Sequence, residues 1–218
     1  MQSLLLKNNR QQNKIMGCDI HVYIEYKSKN HKDGYAWNSF GGRINPGRNY
    51  AMFALLAGVR NYDAELPVTF PLRGTPNDAG YKSSSDNQMY ISDTSEGEDY
   101  VKSERAKQWV ESGSSKYINN HEGKPTWVTH PDWHSHSWLT TSEFESIIHK
   151  YLVLETEWSK QRVEEHNKYV KEHNIQPTSW AYEPPEMNFE PEYQAVLAAM
   201  QRLEYFGKQA RIVFWFDN

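Results

Sequence analysis

Apolar and polar positions alternate along the first structured stretch of the chain. Cys18, Ile20, Val22, Ile24 and Tyr26 fall on one side, and Asp19, His21, Tyr23 and Glu25 on the other, the period-two pattern of a half-buried strand. The polar, turn-rich residues 27–34 end it, and 35–40 predict a partner strand. After a loop-like stretch at 41–48, Asn49 stands where it can cap a helix over 50–59. There Tyr50, Phe53, Ala54, Leu56 and Ala57 recur at helical spacing, and Gly58 lies near the end. Residues 66–78 are broken by Pro67, Pro71 and Pro76 and predict no regular element. Residues 80–97, rich in Ser, Asp and Asn, predict a mobile loop. Residues 98–111 predict a helix, and 126–129 a short strand.

The strongest helix start is Leu139-Thr140-Thr141-Ser142-Glu143-Phe144. Thr140 fits the N-cap, Glu143 the reciprocal N3 partner, and Leu139 with Phe144 the apolar staple across the turn. This helix should run from 141 to about 170, and its apolar content falls after 155, so its later turns read as a surface helix. The proline- and aromatic-rich stretch 175–191 predicts a packed connection. Pro191 opens a last helix whose Tyr193, Val196, Leu197, Met200, Leu203 and Phe206 form a stripe ending at Gly207, and 210–216 predict the final strand. Residues 1–15 read as a polar tail and 16–218 as one domain. The two best strands sit at opposite ends of the chain. The expectation is therefore an α+β fold with a single sheet, N- and C-terminal strands adjacent, covered by about four helices.

Composition narrows the classes. The 218-residue chain has a net charge of −4, which disfavours a protein that coats duplex nucleic acid. Aromatic residues make up 14% of it, enough large side chains to build a core from a modest apolar share. Cys18 is the only cysteine, so an internal disulfide framework is excluded and a reducing compartment is implied, the cytoplasm, or the host cytoplasm for a phage-encoded chain. No apolar run reaches the length of a membrane span. Nothing in the sequence fixes oligomeric state, and a homo-oligomer stays open.

Candidate chemistry lies in two stretches. Asp19 and His21 share one face of the first strand, and His134-Ser135-His136 stands just ahead of the strong helix start, where free N–H groups and the dipole favour an anion. Asp19, His21, His134 and His136 are the residue types that hold a divalent metal through N and O donors, with His130 and Asp132 in reserve. Without a metal, His21 with His134 or His136 could serve as an acid–base pair, because imidazole titrates near neutrality. Arg48, Arg60 and Arg73 are the candidate phosphate partners through their guanidinium forks. Asp78 is a candidate for sugar hydroxyls, Trp133 and Trp138 for stacking, and Ser137 for a further polar contact. Asp19-Ile20-His21, Asn120-His121-Glu122 and His134-Ser135-His136 mimic the order of metallophosphoesterase motifs. The later two lack their glycine and no Gly is followed by Asp, which argues against that superfamily.

The opening Met16-Gly17-Cys18-Asp19-Ile20-His21 resembles that of a family of uncharacterised phage and bacterial proteins. Other stretches similar to that family are Arg48 through Asn61, Pro71 through Asp78, and His134-Ser135-His136-Ser137-Trp138-Leu139-Thr140. The resemblance implies kinship and brings no activity with it. The residues themselves lead to a phosphodiesterase-type hydrolase acting on a small nucleotide or cyclic nucleotide signal, in a phage anti-defence setting. A nucleotide-binding protein without turnover is the alternative, and a structural or interaction domain the third reading.

Overall fold

A computed structural model describes residues 17–28, 37–61, 66–121, 124–178 and 191–217. The expected tail at 1–15, the turn beyond Ser28, Tyr35 and most of the 175–191 connection lie outside them. The central element is an antiparallel pair. Strand β1 (Asp19–Ser28) runs beside the C-terminal strand over its whole length, from Asp19 opposite Asp217 to Ser28 opposite Lys208. Strand β2 (Asn38–Ser39) flanks β1, and the helices α1 (Tyr50–Ala57) and α2 (Tyr81–Asp86) follow. Next come β3 (Met89–Ile91), β4 (Tyr100–Val101), α3 (Ser103–Glu111), β5 (Tyr117–His121) and β6 (Lys124–Val128). Strand β7 (His134–Thr140) leads directly into α4 (Thr141–His173), and α5 (Pro191–Tyr205) into β8 (Lys208–Asp217).

The fold is α+β, with the terminal strands adjacent as their patterns predict. The strands form two sheets instead of one, ordered β2-β1-β8-β7 and β4-β3-β6-β5. The larger sheet sends Cys18, Ile20, Val22 and Ile24 of β1 and Ala210, Ile212, Phe214 and Phe216 of β8 into a core closed by α1, α4 and α5. Each large side chain buried there contributes about 1.5–3 kcal/mol. Asn49 caps α1 by accepting the Met52 N–H at 2.9 Å, and Gly58 ends it in the left-handed region at φ +70°, as those residue types require. At α4 the capping box is complete, with Thr140 accepting from the Glu143 N–H and Glu143 accepting from the Thr140 N–H. The helix has 33 residues, about 50 Å at 1.5 Å per residue. Its later turns are anchored where His166 accepts the Thr178 N–H at 3.0 Å. No helix among the described residues is long and apolar enough to cross a membrane.

Three expectations about local structure need correction. Residues 80–97 hold α2 and β3, because Ser83, Asn87 and Met89 are buried, and polar composition conceals burial when the polar atoms find partners. The helix expected at 98–111 begins only at Ser103, after Tyr100 and Val101 have paired with β3. His134 through Thr140, where the pattern predicts no regular element ahead of the helix, is the edge strand β7.

Candidate functional site

The face of the larger sheet turned away from α1, α4 and α5 carries the chemistry. Along it Asp19, His21, Tyr23 and Glu25 of β1 stand opposite Asp217, Trp215, Val213 and Arg211 of β8. Cross-strand partners share a face, so the two ends of the chain meet in one polar row.

At one end of the row lie Asp19 and His21. Asp19 is held by both arms of Arg48, at 2.6 and 2.8 Å, and this pair keeps its carboxyl below the usual range. His21 is 7% exposed. Arg43 donates to its Nδ1 at 3.1 Å and its Nε2 contacts Asp217 at 2.8 Å. A guanidinium only donates, so Nδ1 accepts and Nε2 carries the hydrogen given to Asp217. Arg43 and Asp217 were not anticipated from the sequence. Asp217 was legible in principle, because it shares parity with Arg211 along the last strand.

The two imidazoles expected to act together are separated by a bulge. On β8 Phe216 to Phe214 spans two residues, while on β7 the matching His134 to Ser137 spans three. The extra residue reverses the facing of everything before it. Ser135 absorbs the irregularity with φ +54°. His134 consequently stacks on Phe216, a core residue, at 6.1 Å. His136 lies on the polar face against Trp215 at 5.9 Å and 17°, where Trp215 also carries the ring of His21 at 5.3 Å and 15°. His136 Nε2 donates to Asn87 at 2.6 Å. Burial, with smaller contributions from Lys116, His134 and His21, pulls its pKa down to about 4, so it is neutral at physiological pH. The strained Ser135 gives a direct check on the bulge. Ser135→Val should lower the unfolding free energy by about 1–2 kcal/mol, while Ser135→Gly leaves it within about 0.5 kcal/mol, read by urea denaturation.

The donor set proposed for a metal does not assemble. Asp19 is engaged by Arg48 and His134 faces the core. Among the described residues no three His, Cys, Asp or Glu side chains are grouped to hold an ion. The side chains of Asn120 and His121, and Glu122 altogether, lie outside the described residues. His130 rests against Trp133 at 4.9 Å, and Trp133 lines a cleft with Tyr23, Arg43, Asp86 and Asp99.

The candidate ligand-binding residues divide. Arg60 hydrogen-bonds the Cys18 thiol on the core side of β1, so it leaves the polar face. Arg48 is committed to Asp19. The anion attracted to the α4 start is the chain's own Glu143, which Arg73 also holds through both terminal nitrogens. Arg73 keeps the Glu143 pKa at about 2, helped by Thr140. Ser137 accepts the Arg73 N–H at 3.1 Å, and His136 C=O accepts the Gly74 N–H at 3.0 Å. These bonds lay the 73–74 segment along β7.

Arg73, Asp78 and Trp138 do converge, in a cavity of about 520 Å³ shared with Lys27, Trp37, Asn77 and Arg211. Its wall is a stack of flat groups. The Arg211 guanidinium lies 3.9 Å from the Trp37 ring and 5.7 Å from Trp138, and Arg73 lies 4.5 Å over Trp138. Behind it a network that runs from buried Glu25 and Arg211 out to exposed Asp78 fixes the stack. Arg211 donates to Glu25 and to Asp78 at 2.8 Å each, Trp37 Nε1 donates to Asp78 at 2.9 Å, and Gly80 N–H and the Ser83 hydroxyl donate to the other Glu25 oxygen. Trp37, Arg211 and Glu25 had no role in the sequence reading. Only the parity of Glu25 with Asp19 and His21 pointed toward this network.

Comparison with known proteins finds no matching family model, no matching curated protein and no matching solved structure.

Proposed function

We propose that the protein captures a small nucleotide-type ligand in the Trp37–Trp138 cavity without cleaving it. The observation that carries this reading is the layered wall of tryptophan rings and guanidinium planes beside Lys27, Asn77 and Asp78. Flat bases stack on both kinds of surface. Asn77 offers both a donor and an acceptor to a base edge, Lys27 supplies positive charge for a phosphate, and Arg73, already held by Glu143, contributes its flat face over Trp138. Lys27, Arg73 and Arg211 are balanced by Glu25, Asp78 and Glu143, so selection comes from stacking and shape more than from net charge, and affinity should vary little with salt.

Capture is favoured over hydrolysis because both His21 nitrogens are already engaged, by Arg43 and Asp217. Hydrolysis remains the second reading, on one observation: His21 and His136 lie against the same Trp215 ring on one face. A phage chain of this kind in a host cytoplasm would withdraw a nucleotide signal from the cell's defences.

The test is calorimetric titration with a panel of linear and cyclic nucleotides, followed by chromatography of the recovered ligand. Micromolar binding with intact ligand is expected, weakened about tenfold by Arg73→Ala and by Trp138→Ala. Product formation that disappears in His21→Ala would replace capture by the phosphodiesterase reading. Absence of binding across the panel would remove both.

A further inference from the structure

The smaller sheet has a face of its own that the nucleotide reading does not use. Register sets Tyr100 opposite Tyr90 and Tyr90 opposite Trp127, so the three rings stand abreast across β4, β3 and β6. Their neighbours Met89, Val101 and Val128 pack with Ala106 of α3 in a small apolar cluster. Alternation therefore leaves the aromatic row on the opposite side. Tyr90 and Tyr100 are 38% and 39% exposed, so the row is open to solvent.

The rings do not lie flat. Tyr90 meets Tyr100 at 87° with centroids 5.8 Å apart, and meets Trp127 at 77° and 5.0 Å. They form the corner of a cavity of about 290 Å³ whose other walls are Ser85, Asp86, Gln88 and Asp99. Asp86, Gln88 and Asp99 also border the neighbouring cleft of about 600 Å³, where Glu98 adds a third carboxylate. Arg43, the one guanidinium lining that cleft among the described residues, donates to His21.

We infer that Tyr90, Tyr100 and Trp127, together with Asp86 and Asp99, form a binding site for an organic cation with a substituted-ammonium head. Ring faces carry negative quadrupole potential, and a caged ammonium is stabilised by several at once. Perpendicular walls suit a rounded head group. A sugar ring or a planar guanidinium would instead need one open flat face. An anion would meet the carboxylates, and among the described residues no three acidic or imidazole side chains are grouped closely enough to hold a small hard metal. The cavity is sized for a head group, and the adjoining cleft has room for the remainder of the ligand. Burial, reinforced by the charge of Asp99, raises the Asp86 carboxyl, and a bound cation would reverse that shift. The site shares no lining residue with the Trp37–Trp138 cavity, so it stands or falls independently of nucleotide capture.

Choline is the probe, titrated into the full chain and followed by calorimetry and tryptophan fluorescence. The control is its uncharged carbon analogue, in which a tert-butyl group replaces the trimethylammonium. Choline should bind at millimolar concentration or below, and the analogue about tenfold more weakly. Trp127→Leu should abolish the fluorescence response. Asp99→Asn, an exposed substitution that leaves the fold intact, should weaken choline about three- to tenfold. A trimethyllysine peptide in parallel shows whether the head group belongs to a free small molecule or to a modified side chain, according to which binds tighter. Equal binding of choline and its analogue, choline binding unaffected by Asp99→Asn, or no response to either cation would overturn the assignment.

Discussion

Replacing Arg211 with methionine should lower the unfolding free energy by about 3–5 kcal/mol, because it strands a carboxylate inside the protein. Arg211 is 3% exposed and Glu25 is fully buried. One Glu25 oxygen keeps the Gly80 N–H and the Ser83 hydroxyl, but the other loses the Arg211 guanidinium. Asp78 loses a 2.8 Å bond in the same step. For a chain of this size each kcal/mol moves the melting midpoint by roughly 2–4 °C, so a fall of about 10 °C is expected by calorimetry. A lost stacking contact with Trp37 predicts a different pattern from a stranded charge. Adding Glu25→Gln to Arg211→Met should recover about 2 kcal/mol if the stranded charge dominates, and nothing if stacking dominates. Arg211→Lys should fall between, since it keeps the charge but loses the fork that reaches Glu25 and Asp78 together.

The second large effect is a loss of stability in mild acid that His136 controls. Its pKa is held at about 4, against an ordinary 6.5. Between these values the unfolded chain takes up a proton that the folded chain refuses, so stability falls as pH drops from 6.5 and the loss is complete below about 4. The full span is about 3–3.5 kcal/mol. Glu143 works in a lower window. Its pKa is depressed to about 2 by Arg73, so the stability it contributes is present above its unfolded value and disappears as pH falls from there through about 2. Urea midpoints measured from pH 7 to 4 should decline steeply in the parent chain and distinctly less in His136→Gln, whose amide still donates to Asn87 without titrating. Parallel declines in the two proteins would show that His136 is not the group responsible.

These outcomes depend on features of very different legibility. The α4 start was readable because Leu139, Thr140, Glu143 and Phe144 act on one another within five residues, and the structure contains that capping box. The pairing of the chain's two ends followed from the strength of their alternating patterns. The separation of His134 from His136 was not readable, since a one-residue bulge leaves no mark on a His-Ser-His-Ser repeat and inverts the outcome. The arginines illustrate the second limit. Arg73 meets Glu143 across 70 residues and Arg211 meets Glu25 across 186, and no local pattern announces which carboxylate a guanidinium will find. The smaller sheet was largely missed because β3 and β4 have only three and two residues, too few to show an alternation, and β5 carries Asn-Asn-His at its centre and end.

The union of β1 with β8 sets a schedule for the chain as it is made. Asp19 and its partner Asp217 are 198 residues apart, so at ribosomal speeds of about 5–20 residues per second the first strand waits roughly ten to forty seconds for its mate. Throughout that interval Ile20, Val22 and Ile24 have no sheet to bury them, and an unpaired edge of this kind invites association with other nascent chains. Holdase chaperones should therefore aid synthesis in cells, and productive folding of this sheet should wait until β8 has been made.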